Sequence, residues 1–316
     1  MDGLDRMIRL QDAADQFAKR QVIADACASG CDLFFELVRL AVDPFLTFGL
    51  KRVAEILDDD GSVGDFSAKQ FLDLCQRLSA RQLRGESARE AVMQAASRCH
   101  TATWNSVYRR VLQKDIGIDG TFLNDVIDTL GPDAARHRVA EFRPQMPSKS
   151  GKAVGRRLVD AMITGERVLA VLDGVPRLHA ADGKALTTYN LIEAALEPLC
   201  ARVTAPLVLD GMIADGTFHV FDTVPLQDFQ AKLCPQSQQK RRTMLEGLQR
   251  NGVFSDPRLI KVVPQVKVDF GHPDGTADFD EFCRQAAAHG HAAVVLKKPE
   301  SPYVGKCSTA WAVKKL

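Results

Sequence analysis

The stretch Val168-Leu-Ala-Val-Leu-Asp-Gly-Val-Pro-Arg-Leu178 runs unbroken apolar residues into Asp173-Gly174 and restarts around Pro176. A short apolar run closed by Asp-Gly reads as a buried strand that turns back on itself, since glycine takes the left-handed backbone a tight turn demands. A second turn signal, Asp182-Gly183, follows between RLHAA and KALTTY and predicts a hairpin.

Further short strands are predicted at Leu207 to Ile213, Phe218 to Phe221, Leu259 to Val263 and Ala293 to Leu296. Helices are expected between them at Leu191 to Ala201, Gln238 to Gln249 and Phe279 to His289, with one more at Lys152 to Met162. This part of the chain is therefore α/β, with much antiparallel pairing.

Before it the pattern is different. Apolar residues recur at spacings of three and four in Leu33 to Ala41, Leu46 to Leu57, Phe66 to Leu78, Ala88 to Ala96, Trp104 to Leu112 and Phe122 to Leu130, which predicts an all-helical domain. Phe142-Arg-Pro-Gln-Met-Pro-Ser-Lys-Ser-Gly151 carries two prolines and reads as an extended linker. The fold class expected is multi-domain α and α/β: a helical domain over 1–142, a linker over 143–151 and a second domain over 152–316.

With 316 residues the chain is long enough for two cores, and a net charge of +1 gives no global pull toward nucleic acid or membrane. The eight cysteines form no Cys-x-x-Cys pair and read as reduced core residues of a cytosolic protein. No apolar run approaches the ~18 residues of a membrane span, so no membrane partner is expected.

The order of features in the second half resembles the nucleotidyltransferase (ATP-grasp-like) domain of ATP-dependent DNA ligases. The resemblance is carried by VLDG, PLVLDGMI, FHVFDTVP, the helix QKRRTMLEGL and the tail GHAAVVLKKPESPYVGKCSTAWAVKK, which is most similar to short bacteriophage ligases. FRPQMPSKS and the preceding VYRRVLQKDIGIDGTFLNDVI resemble the join and last helices of the helical DNA-binding domain of larger phage ligases.

The resemblance implies covalent chemistry, in which a lysine of Lys-x-Asp-Gly attacks the α-phosphate of ATP and the adenylate passes to a 5′-phosphate at a nick. Here the lysine position is Val171, ahead of Asp173 and Gly174. The arginine after Asp-Gly falls on Pro176, with Arg177 one residue late, and the arginine after the hairpin falls near Thr188. The two glutamates become Met212 and Ala292, and the first lysine of the closing Lys-x-Lys becomes Ala312. What persists is Asp210-Gly211, Phe221-Asp222, Phe218 where the family stacks a ring on adenine, and Lys297 and Lys314.

A hydrocarbon has no lone pair to attack with, and removing a covalent nucleophile costs on the order of 10⁶ in turnover. Losing the charged groups together also avoids leaving one of them buried and unpaired, which costs ~3–5 kcal/mol. The sequence ends two residues after Lys314, so no oligonucleotide-binding barrel is expected. These positions imply a pseudo-ligase of phage type in the bacterial cytoplasm, with no catalytic residue, no metal and no cofactor. Phe218, Lys297 and Lys314 are the remnants of a nucleotide pocket that the resemblance implies; for the two lysines contact with a nucleotide phosphate, as in the family, is one reading, and solvation at strand ends is the reading favoured.

Two other readings stay open: an active enzyme using a displaced lysine such as Lys184 or Lys297, and an interaction scaffold without nucleic-acid affinity. The partners expected are duplex or nicked DNA, or a phage or host protein. DNA contacts would come from Arg109, Arg110 and Lys114 on one helix and from Arg77, Arg81 and Arg84 along a continuous face of another. Against this, residues 1 to 142 carry 18 Lys and Arg but 22 Asp and Glu, whereas phosphate binding draws its affinity from cations. His289-Gly-His291 is read as a helix cap and loop, and Asp58-Asp-Asp-Gly61 as a turn, since both lack the further ligands that a metal needs.

Overall fold

A computed structural model describes residues 2–50, 52–57, 64–149, 153–252, 254 and 256–316. The expected turn Asp58 to Gly61 lies outside the described residues. The chain divides into two compact units, Met1–Glu141 and Phe142–Leu316.

The first unit is helical: α1 (Gly3–Asp12), α2 (Gln16–Ala28), α3 (Asp32–Val42), α4 (Ala68–Ser79), α5 (Gly85–Ser97), α6 (Thr101–Thr103), a π turn (Trp104–Tyr108), α7 (Arg109–Gln113) and α8 (Gly120–Leu130). Asp2, Asp15, Ser67 and Asp119 cap α1, α2, α4 and α8, each accepting from a backbone N–H of the first turn. Phe34, Leu37, Val38, Phe71, Trp104 and Ile127 lie in one core cluster, and Phe71 stacks on Tyr108 at 4.0 Å between ring centroids.

One expected helix is missing. The described residues between 46 and 57 are neither helix nor strand, although Phe48 and Val53 are buried. Their backbone is held by side chains instead: Trp104 Nε1 donates to Ala54 O, Asn105 bonds both backbone groups of Ile56, and Arg109 Nε donates to Val53 O. Pro44 precedes, and Gly49 at φ 67° interrupts, a segment whose apolar spacing imitates a helix.

The second unit comprises β1 (Met146–Ser148), β2 (Arg156–Ala161), β3 (Glu166–Asp173), β4 (Val175–Ala180), β5 (Ala185–Leu186), α9 (Asn190–Arg202), β6 (Leu207–Ala214), β7 (Thr217–Pro225), α10 (Leu226–Gln230), β8 (Leu233–Cys234), α11 (Gln238–Arg250), β9 (Ile260–Val262), β10 (Gln265–Asp269), α12 (Gly275–Ala288), β11 (Ala293–Lys297), β12 (Tyr303–Val304) and β13 (Cys307–Lys315). A six-stranded sheet has the order β5-β4-β3-β6-β7-β9, a five-stranded sheet β1-β13-β11-β2-β10, and β12 pairs with β8. Most pairings are antiparallel; β1 with β13 and β7 with β9 are parallel.

Two expectations fail here. The helix predicted from Lys152 to Met162 is strand β2, because Val159 alternates into the cluster under α12 while Asp160 points to the other face. The stretch read as a linker supplies β1, and Gln145 within it is fully buried. His289 caps the end of α12, as expected.

Candidate functional site

Alternation along β3 decides what Val171 faces. Val168, Ala170 and Leu172 join the core cluster with Ile192 and Leu196 of α9, so Arg167, Leu169 and Val171 line the opposite face. Val171 is 2% exposed and lies between Arg177 of β4 and Val208 of β6. Asp173 pairs with Val175 around Gly174, at φ 69°, and the Asp-Gly is an exposed turn. Pro176 pairs with Leu172, so it is Arg177 that shares the face of Val171. Thr188 is exposed in the loop before α9.

Met212 is opposite Arg167 and His219 on this same face. Ala292 is exposed just before β11. Ala312 pairs with Leu296, which packs under α12, and Lys314 places its ammonium 4.4 Å over the Phe279 ring of α12. The closing motif therefore stands on the face opposite to Lys297, and the structure does not bring Lys314 to Lys297.

The expectation that Lys297 is solvated is wrong. It is 1% exposed, its ammonium lies 2.6 Å from Asp160 Oδ2, and it donates to Phe221 O at 3.2 Å. The rings of Trp311 and Phe221 lie 4.4 and 4.8 Å from the same ammonium, which adds cation–π attraction where water is excluded. Gln265 Nε2 donates to the other oxygen of Asp160 at 2.5 Å. Phe218, at the position where the resemblance puts a ring on adenine, is 0% exposed in the core with Leu209 and Leu245, on the other face of its sheet.

Sequence reading missed the feature the structure displays most clearly. Asp210 and Asp222 are directly opposite on β6 and β7, and each is claimed by its own arginine. Arg167 Nε and Nη2 donate to the two oxygens of Asp210 at 3.0 and 2.7 Å; Arg241 Nε and Nη2 donate to those of Asp222 at 3.0 and 3.1 Å. Bidentate pairing lets like charges sit side by side in a buried sheet.

Tyr303 Oη donates to Asp210 at 2.9 Å, and burial, then the Asp210 charge, push its hydroxyl well above the ordinary tyrosine range. Burial acts to discharge Arg167, but Asp210 outweighs it and the guanidinium is held above its usual value. Gln238 Oε1 accepts from Arg241 and from Trp311 Nε1, linking this network to the aromatic wall beside Lys297. Asp210 and Asp222 sit in LDG and FDT, and Arg241 in QKRR; these stretches read as scaffold, and nothing in them tells which carboxylate meets which arginine.

The cations expected on DNA are engaged within the first unit. Arg109 donates to Val53 O and faces Glu55 at 3.6 Å, while Arg110 donates to Asp115 O and Gln11. Lys114 does not continue their helix: it takes φ 59° beyond α7 and donates to Leu40 O and Asp43 O. Burial lowers its ammonium to about 8. The continuous face of Arg77, Arg81 and Arg84 does not exist, because α4 ends at Ser79, Arg81 turns at φ 56° and Arg84 precedes α5. Among the described residues no three His, Cys, Asp or Glu side chains gather into a group able to hold a metal ion.

Comparison with solved structures places the whole architecture. "Pmar-Lig_PreS3" matches with a TM-score of 0.53 and 24% identity, and "Pmar-Lig_Pre." with 0.54 and 23%; each match covers 100% of this chain and 78% of the other. The chain has a DNA-ligase fold. The ATP-dependent DNA ligase of bacteriophage T7, in complex with ATP, also matches, over 55% of this chain and 68% of its own, with 12% identity and a TM-score of 0.44. No family model and no curated protein matches the sequence. The second unit carries antiparallel sheets flanked by helices.

Proposed function

We propose that this ligase-fold protein does not form an adenylate and acts by binding duplex or nicked DNA. The observation that carries the first half is Val171: the position a nucleophile would need holds a buried hydrocarbon. Further support comes from Lys297, whose charge is taken up by Asp160, and from Met212 and Ala292 at the two glutamate positions. Lys297 is thus a poor displaced nucleophile, since a buried ammonium paired with a carboxylate has no free lone pair. Lys184 is exposed in the tight hairpin after β4.

Under this reading residues 1–142 serve as a helical domain of the DNA-binding type and 152–316 as an emptied nucleotidyltransferase domain, in a protein of phage type working in the bacterial cytoplasm. The DNA half of the proposal is supported by a fold similar to that of ligases over the whole chain. A second reading, a protein partner, is favoured by the acidic balance of residues 1–142 and by the internal use of Arg109, Arg110 and Lys114.

Incubation with labelled ATP and denaturing electrophoresis tests the first half. No labelled band is expected, and a band abolished by changing one lysine would overturn the reading. Titration of nicked duplex at two salt concentrations tests the second half. Binding that weakens with salt is expected, and no binding at low salt would leave the protein-partner reading.

A further inference from the structure

We infer that the short turn following α8 is a flap over Phe35 that opens when His137 takes up a proton. This goes beyond the binding reading above and does not depend on it. A 3-10 turn, Pro132–His137, follows α8. Its last residue lays an imidazole on the Phe35 ring of α3, with 3.7 Å between centroids and 14° between planes. Ala134 of the same turn and Phe35 are both buried, so the turn closes over the edge of the helical core.

The chemistry of the ring sets the condition for closure. Arg136 Nε donates to His137 Nε2 at 3.0 Å, which requires a lone pair on that nitrogen. A neutral ring with its proton on Nδ1 offers one; an imidazolium, protonated on both nitrogens, does not. Protonation therefore removes this hydrogen bond and sets a cation beside the Arg136 guanidinium. Burial is the largest influence holding the ring below its ordinary 6.5, and Arg136 adds to it. Asp32 of α3 pulls the other way, as does the face of Phe35, which attracts a cation. On the α8 side the charges are occupied: Arg138 pairs with Asp128 and Glu141, and Asp125 also acts on it.

The flap is anchored at both ends, so it can open without unravelling the unit. α8 ends at Leu130, just before the turn, and Asn124 of α8 grips the backbone just after it. Asn124 Nδ2 donates to Val139 O and Val139 N donates to Asn124 Oδ1, both at 3.0 Å. Between these anchors Ala134 N donates to Gly131 O at 3.2 Å and Arg138 N to Ala135 O at 3.1 Å, and both bonds open with the flap. A detached ring binds its proton at 6.5 and the stacked ring binds it more weakly. Closure is therefore unaffected above 6.5, weakens as the pH falls through that value, and levels off below the midpoint of the stacked ring. Phe35 is uncovered on the acid side alone.

The test is NMR of the full chain from about pH 8 to about pH 4.5, following the His137 ring and the hydrogen-exchange protection of the Ala134 and Arg138 amides. The His137 midpoint should lie below 6.5, and protection of the two amides should drop tenfold for every pH unit between 6.5 and that midpoint. Amides of α8 should keep theirs. His137→Phe leaves a ring on Phe35 that has no proton to gain, and its turn should stay protected throughout. Arg136→Ala, at an exposed position, should raise the midpoint and shrink the loss of protection. A midpoint at or above 6.5 overturns the flap on the wild type alone. So does protection that does not change with pH, or that falls equally in α8 or in His137→Phe.

Discussion

Lys297 and Asp160 form a pair whose two charges are both about 2% exposed, so each depends on the other. Removing one partner alone strands a buried charge and should cost ~3–5 kcal/mol, whereas replacing both with apolar residues of similar volume should be close to neutral. Urea denaturation of Asp160→Leu, Lys297→Met and the double variant should therefore show the double variant as more stable than either single one. Lys114 offers a test in pH. Its ammonium is lowered to about 8 by burial, whereas in the unfolded chain it returns to about 10.5, so between those values the unfolded state holds more protons. Its contribution to stability must rise with pH through that window. The stability of the wild type relative to Lys114→Met should accordingly increase from pH 8 to pH 10.5, by at most about 3 kcal/mol; a flat difference would show that the ammonium is not desolvated.

At the scale of elements, side chains decide where periodicity misleads. The irregular residues 46–50 and 52–57 have helical apolar spacing, yet Asn105 satisfies both backbone groups of Ile56 and Trp104 takes the carbonyl of Ala54. Asn105→Ala should leave the N–H and C=O of Ile56 without these partners, at a cost of about 1–3 kcal/mol. Hydrogen exchange should then quicken at Ile56 before it does in α3 or α8. Most other elements were legible because local pattern and tertiary need agree: β3, β6, β7, β11, α9 and α11 fall where turn signals and apolar spacing put them. β2 was not legible, because Arg-Arg-Leu-Val-Asp-Ala has no turn signal of its own and becomes a strand only by pairing with β10 and β11. Misreading β2 also concealed Asp160, and with it the burial of Lys297. The motif positions of the resemblance could be named one at a time; the arginine–aspartate network could not, since pairing across strands is a property of register rather than of any motif.

For the whole molecule, each unit has a core of its own. The apolar cluster around Phe34, Phe71 and Trp104 lies within the first unit, and those beneath α9 and α12 lie within the second. A unit with its own core can unfold as a cooperative whole. A fragment of residues 142–316 should thus show β-rich circular dichroism and a single cooperative urea transition. Loss of that cooperativity would mean that the second unit cannot hold its buried arginines and carboxylates together by itself.

The face that carries Val171 also decides what a charge placed there would meet. Arg167 and Arg177 stand on that face, Asp210 is bound at both oxygens by Arg167, and Asp173 lies two residues further along β3 at its exposed end. A lysine introduced at 171 would add a third cation at a buried position between Arg177 and Val208, so Val171→Lys is disfavoured on that face.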